Sequence, residues 1–154
     1  MVHGRDVAVV VDSSSCLPPD LAKETNITIV PHGLMIGDRV LRDGADITSA
    51  EFYRVLQSTQ SPINTVAPNP QQFLDAFAEH AQHGNNILAL TLSSSLSTTH
   101  QSARSAAATC DPRLEGARIK VVDTRAAAGS LGLIALAAAR WVQLLRQLIR
   151  WRPK

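Results

Sequence analysis

The stretch that decides the fold is ILALTLSSSLSTTHQSA, residues 87–103. Residues 87–92 are almost entirely apolar, which predicts a strand buried on both faces of a sheet. Serines crowd residues 93–97, and residues 98–108 have the composition of a helix. In an open α/β sheet, ligands bind where a strand ends and a helix begins, and the helix start favours an anion. This turn therefore predicts an oxyacid site, unless Ser97 serves only to cap the helix.

Other apolar runs extend this pattern along the chain. Residues 7–11 and 119–122 predict buried strands, and they are separated by segments with helix signals. Strands and helices that alternate at this spacing predict βαβ units, an α/β fold and a parallel sheet. Right-handed crossovers would then bring three strand ends, at residues 12–15, 93–97 and 123–124, to one edge of the sheet.

Shorter signals complete the outline. Residues 27–30 predict a further strand, and Gly37-Asp38 predicts a hairpin turn between residues 32–36 and 39–42. The polar segment 57–69 is predicted to be a loop.

Composition limits the function. A chain of 154 residues is one domain by default, and a net charge of +2 gives no argument for nucleic acid as a partner. The two cysteines do not make a disulfide framework. The first residues lack the features of a signal peptide, so we expect a cytoplasmic protein. The apolar segment 126–139 is predicted to be too short to span a bilayer before Arg140 interrupts it.

Common catalytic signals are mostly absent. There is no G-x-G-x-x-G, P-loop, H-E-x-x-H or G-x-S-x-G motif. We expect no metal and no cofactor, since His80 and His83 share a helix face but zinc needs three or four protein ligands. Hydroxyls without a strong general base suit holding an oxyacid, so we expect no enzyme. The alternative is a small hydrolase or phosphotransferase that uses Asp12, or a serine, together with His100.

Four motifs in order support a more specific reading. They are DSS at residues 12–14, TVAP at 65–68, SSSLSTT at 93–99 and VVDT at 121–124. Over about residues 7–139 the chain resembles the N-terminal domain of the DegV family, which are bacterial fatty-acid-binding proteins. The resemblance implies a three-layer domain in residues 1–139, with helices on both faces of a parallel sheet.

The resemblance also implies a ligand and a partner. Proteins of this family hold one long-chain fatty acid between two domains and present its carboxylate to a separate fatty acid kinase. Thr65 and Ser97 match the family threonine and serine that would bind the carboxylate. Four more serines would line or support the site: Ser13, Ser14, Ser94 and Ser95.

The sequence departs from the family pattern in several places. Val66 and Ala67 replace polar residues, Thr98 replaces a glycine that permits close backbone approach, and His100 replaces an aromatic residue. The second domain is expected to be missing, and with it half of the acyl tunnel. Because affinity comes mostly from burial of the tail, we expect acyl binding to be weakened.

Residues 140–154 are predicted to form a basic amphipathic helix extension. Its apolar stripe is Trp141, Leu144, Leu145 and Leu148, with Arg140, Arg146 and Arg150 around it. Three interpretations stay open: a core helix whose end frays, self-association with another chain, or contact with an anionic membrane surface. The whole chain could also be an interaction module with a vestigial pocket.

Overall fold

A computed structural model gives the fold of residues 6–150, with side chains as far as Leu148. Arg152 and Lys154, which belong to the predicted basic end, lie outside the described residues, as does the side chain of Arg150.

Strands and helices alternate along the described chain. The strands are β1 (Val7–Asp12), β2 (Ile27–Val30), β3 (Gly33–Ile36), β4 (Arg39–Arg42), β5 (Ile63–Val66), β6 (Asn86–Thr91) and β7 (Ile119–Asp123). The α-helices are α1 (Pro19–Glu24), α2 (Ser49–Ser58), α3 (Pro70–Gln82), α4 (Thr99–Ala107) and α5 (Ala128–Arg150). Ser13–Ser15 and Pro112–Leu114 form short 3-10 turns.

The main sheet has four parallel strands in the order β2-β1-β6-β7. Val10 pairs with Ala89, and Leu90 pairs with Val122, so the carboxyl ends of β1, β6 and β7 lie side by side. The predicted parallel α/β sheet is therefore confirmed, together with the meeting of the three strand ends at one edge.

The core lies on both faces of this sheet because alternate side chains of each strand point to opposite sides. On one face Val10 and Ala89 pack with Phe73, Phe77 and Ala103 of α3 and α4. On the other face the packed residues are Val9, Val11 and Leu90 from the strands, Ala22 from α1, and Leu131 and Ala135 from α5. Three layers with helices on both faces are thus confirmed.

A second, antiparallel sheet has the order β4-β3-β5. The hairpin at Gly37-Asp38 is confirmed, but the prediction of a loop over residues 57–69 is wrong, because Ile63–Val66 pairs with β3. This strand has four residues, three of them exposed, so it carries almost no hydrophobic periodicity. A Cβ at Gly33 would lie 2.9 Å from Val40 Cγ1 and 3.2 Å from the Val66 Cβ, so any larger residue there would force these valines to shift.

The last helix, α5, runs without a break from Ala128 to Arg150 and so passes through the predicted boundary at residues 139–140. Leu131, Ala135 and Ala139 are buried on the sheet, as in a core helix. The far end leaves Trp141 66% exposed and Leu148 67% exposed.

The apolar segment of α5 is longer than the predicted segment 126–139. Ala128–Leu148 is long and apolar enough to cross a membrane by length and composition, with a mean hydropathy of 1.5. The prediction that Arg140 interrupts the stretch was wrong because an isolated charge changes the average over such a window little. Only 22% of this window is buried in the described structure, and Leu133 in its first half is 69% exposed.

Candidate functional site

A cavity of about 460 Å³ lies where β1 and β6 end, between the main sheet and the small antiparallel sheet. This volume lies within the range of small-molecule sites, about 300–1,000 Å³. Its hydroxyl-bearing lining residues are Ser13, Ser14, Thr65, Ser97 and Thr98. Its apolar lining residues are Leu34, Ala67, Leu92 and Leu96, and its ionisable ones are His32 and Asp43.

Thr65 and Ser97 reach this cavity from different sheets. Thr65 lies on β5, where it pairs with Leu34 across the small sheet. Ser97 lies in the turn between β6 and α4. The fold therefore brings together the two residues on which the predicted carboxylate site depends.

Ser97 also helps to start α4. Thr98 occupies the N-cap position but makes no capping bond with its side chain. The Thr99 backbone N–H instead donates to Ser97 Oγ, at 3.2 Å, and the two hydroxyl oxygens lie 2.9 Å apart. Ser97 thus caps the helix with its lone pairs and lines the cavity, so the two interpretations of this residue are compatible.

The buried carboxylate of Asp12 holds the ends of two strands together. Asp12 Oδ2 accepts from the Leu92 backbone N–H at 2.8 Å, which ties β1 to the segment after β6. Asp12 Oδ1 accepts from the Ser14 backbone N–H at 3.1 Å and from the Ser14 hydroxyl. Because the Ser14 hydroxyl already donates to Asp12, Ser14 lines the cavity without a free proton for a ligand.

The structure places Ser94 and Ser95 outside the cavity. The Ser94 hydroxyl donates to Asp123 Oδ2 at 2.6 Å, and this bond lowers the pKa of the Asp123 carboxyl. Ser95 Oγ lies 2.7 Å from Ser93 Oγ. Both serines thus bond within the turn or to Asp123, and their predicted contact with a ligand stays a prediction.

His32 is the residue of this site that the sequence analysis missed. It follows β2, a parallel strand that ends at the same edge as β1, so the strand-end rule applied to β2 would have found it. Its Nε2 lies 3.1 Å from Thr99 Oγ1, and its Nδ1 lies 3.4 Å from Ser13 Oγ. Burial lowers the pKa of His32, while the nearby carboxylates of Asp12 and Asp43 oppose that shift.

The groups required by the hydrolase alternative bond to other residues and not to one another. His100 Nδ1 lies 3.0 Å from Thr91 Oγ1, and among the described residues no serine hydroxyl bonds to His100. Asp12 is fully buried and its oxygens are occupied. Within residues 6–150 no group of three His, Cys, Asp or Glu side chains lies close enough together to hold a metal ion.

Comparison with known proteins agrees with the motif spacing. The sequence profile described as "Uncharacterised protein, DegV family" matches residues 6–144. The chain belongs to the DegV family. A DegV domain-containing protein of Streptomyces coelicolor is 38% identical over 136 residues, which is 88% of this chain and 46% of the relative. One from Caldanaerobacter subterraneus is 35% identical over 87% of the chain and 46% of its own length. The chain thus spans about half the length of the curated DegV relatives that it matches.

Solved DegV structures share the fold. A DegV family protein from Thermus thermophilus, described for its fatty acid binding, is 29% identical with a TM-score of 0.76, covering 94% of this chain and 52% of that one. A protein from Thermotoga maritima, described as revealing a fatty acid binding function, is 27% identical with a TM-score of 0.79. It covers 91% of this chain, and this chain covers 50% of it. The resemblance inferred from the motifs is confirmed.

Proposed function

We propose that this chain binds a long-chain fatty acid, with the carboxylate held by Thr65 and Ser97 in the cavity between the two sheets. The observation that carries the proposal is that two hydroxyls from different sheets and a set of leucines line one cavity. The fatty acid binding described for the DegV proteins of Thermus thermophilus and Thermotoga maritima gives it further support.

The head group would be held by hydroxyl protons. Thr65 is exposed, and no described residue bonds to its hydroxyl, so the Thr65 proton is free for a ligand. Hydrogen bonds to a charged acceptor contribute about 1.5–3 kcal/mol each, roughly twice a neutral bond. Asp43 lines the same cavity and opposes an anion. The carboxylate would therefore sit on the side of Thr65 and Ser97.

The tail would lie along Leu34, Leu92 and Leu96. Full enclosure of sixteen carbons would contribute on the order of 10 kcal/mol, at about 0.8 kcal/mol for each CH₂. The cavity is open, however, and Leu96 is 68% exposed. We therefore propose that these 154 residues by themselves bind fatty acids weakly.

The proposed role is binding and presentation, not catalysis. Asp12 is buried and His100 is held by Thr91, so neither is placed to attack a ligand in the cavity. Because the cavity is open, a bound carboxylate would stay accessible to a second protein, and we propose a fatty acid kinase as that partner. A cytoplasmic location fits such a partner.

The end of α5 would provide a second contact. Its exposed apolar residues are Trp141, Leu144, Leu145 and Leu148. Either self-association or contact with an anionic membrane surface would cover them. Size-exclusion chromatography and sedimentation with anionic liposomes distinguish these two contacts, and a monomer that stays in the supernatant would refute both.

Calorimetric titration of the delipidated protein with oleate tests the main proposal. Thr65→Val and Ser97→Ala each remove one hydroxyl and are expected to weaken binding about tenfold. Ser94→Ala is the matched control, because it removes a hydroxyl of the same turn outside the cavity. Equal affinities for all three variants would refute this carboxylate site, and submicromolar affinity of the unmodified monomer would refute the weakness.

A further inference from the structure

A chain of hydrogen-bonding groups links His32 to the cavity. His32 Nε2 lies 3.1 Å from Thr99 Oγ1, which lies 2.9 Å from Ser97 Oγ. Thr99 is completely buried, so it meets its partners but no ligand. The direction of the hydrogen bond between His32 and Thr99 therefore determines how the hydroxyl of Ser97, which lines the cavity, can bond.

The number of available protons determines which group donates in each of these hydrogen bonds. Each hydroxyl has one proton to donate and can accept two bonds. If Ser97 donates to a ligand carboxylate, its contact with Thr99 requires the Thr99 hydroxyl to donate to Ser97. Thr99 has then used its proton, so the contact with the ring requires His32 Nε2–H to donate to Thr99. A site ready for an anion thus needs the proton on Nε2 of His32.

The other ring nitrogen governs Ser13. Ser13 Oγ accepts from the His32 backbone N–H at 3.1 Å and lies 3.4 Å from Nδ1. In the neutral ring with Nε2 protonated, Nδ1 is an acceptor and takes the Ser13 proton. In the doubly protonated ring, Nδ1–H becomes a donor, and the Ser13 hydroxyl is free to donate into the cavity that it lines.

Charges around His32 favour the doubly protonated ring once an anion arrives. The side chain is 12% exposed and its Nδ1 lies 3.9 Å from Asp12 Oδ1. Asp12 on β1 and Asp43 after β4 are the carboxylates that act on it. Burial nevertheless lowers the pKa of His32 below its ordinary value, so near neutral pH the ring of the empty protein is mostly neutral. A ligand carboxylate would add a third negative charge beside the same ring.

We propose that His32 is the positioning residue of this site: it directs the Thr99 and Ser97 hydroxyls toward an anionic head group and takes up a proton as that group binds. The inference rests on the proposed fatty acid function but adds a regulator to it, because a site that gains a proton with its ligand binds more tightly as the pH falls through the pKa of His32.

Nitrogen NMR of the protein without a ligand tests the position of the proton on the His32 ring. At about pH 8 the ¹⁵N shifts of His32 are expected to show a neutral ring protonated on Nε2. A ring protonated on Nδ1 would overturn the inference, because Thr99 would then have to donate to His32 and could not donate to Ser97.

Calorimetry with oleate near pH 7, in two buffers of different ionisation enthalpy, tests whether His32 takes up a proton when the ligand binds. The unmodified protein is expected to take up a fraction of one proton for each oleate bound. His32→Gln keeps an N–H donor toward Thr99, so it should bind within about threefold but without proton uptake, while His32→Leu should bind about tenfold more weakly. His83→Gln is the matched control, since His83 is exposed on the far end of α3.

The outcomes separate the two proposals. Proton uptake by His32→Gln equal to that of the unmodified protein, or unchanged affinity of His32→Leu, would overturn the role of His32. Failure of both the unmodified protein and His83→Gln to bind oleate would instead refute the fatty acid function, and the proton uptake with it, while the NMR result decides the hydroxyl direction separately. Thermal unfolding of each variant verifies that it is folded.

Discussion

The carboxylate of Asp12 offers the sharpest test of how the site is built. Asp12→Asn keeps the size of the side chain but replaces one acceptor oxygen with an NH₂ donor. In the native protein one oxygen serves Ser14 and the other serves the Leu92 N–H. Whichever way the new amide turns, one backbone N–H loses its acceptor, either the buried N–H of Leu92 or the half-buried N–H of Ser14.

The loss of one acceptor sets the expected change in the free energy of unfolding. An orphaned buried donor costs about 1–3 kcal/mol, which at about 2–4 °C for each kcal/mol corresponds to a melting temperature lowered by roughly 2–12 °C. Urea unfolding followed by circular dichroism measures the change in the free energy of unfolding. Asp38→Asn, at an exposed position in the β3–β4 turn, is the matched control and should change it by less than about 0.5 kcal/mol. Equal stability of Asp12→Asn and Asp38→Asn would refute the idea that Asp12 holds the strand ends together.

Three other changes have definite expected results. In a His32→Gln protein, where the ring charge is absent, Asp43→Asn removes a negative charge from the cavity wall and should tighten oleate binding, measured by calorimetry; binding weaker than that of His32→Gln alone would contradict the placement of the head group. Gly132→Ala should destabilise the fold by about 1–3 kcal/mol in urea unfolding, because its Cβ would lie 2.6 Å from the Ser15 carbonyl oxygen; Gly129→Ala, which meets no atom within 4 Å, is its control. Burial lowers the pKa of His80, which bonds to Thr28 at 2.8 Å, so the unfolded state takes up the proton first as the pH falls through about 6.5. Stability should therefore drop between about pH 7.5 and 5.5, and His80→Gln should reduce that drop; an unchanged drop would refute the assignment.

The main sheet was predictable because its strands are buried on both faces. A strand such as β6 is then an apolar run, and its end is marked by the serines that follow. The starts of helices were equally predictable, as at Asn69 and Pro70, where a capping box and a first-turn proline coincide. These signals are local, and each agrees with the tertiary structure that surrounds it.

The small sheet was hidden for the opposite reason. β5 is held by pairing with β3, a partner distant in sequence, and its side chains face mostly solvent. Thr65 was still found, because the DegV motif singled it out without any knowledge of its strand. His32 belongs to no motif, although the strand-end rule places it at this edge of the sheet, and its proposed role depends on contacts with Thr99 and Ser13 that only the folded chain creates.

The two hydroxyls proposed to bind the carboxylate belong to different sheets, and this has a mechanical consequence. Thr65 moves with the antiparallel sheet and Ser97 with the parallel one. A head group bonded to both would act as a cross-link between two otherwise separate hydrogen-bonded ladders. Loading would then slow amide exchange along β5 and β3, so that the outer sheet would report occupancy to any protein that touches it.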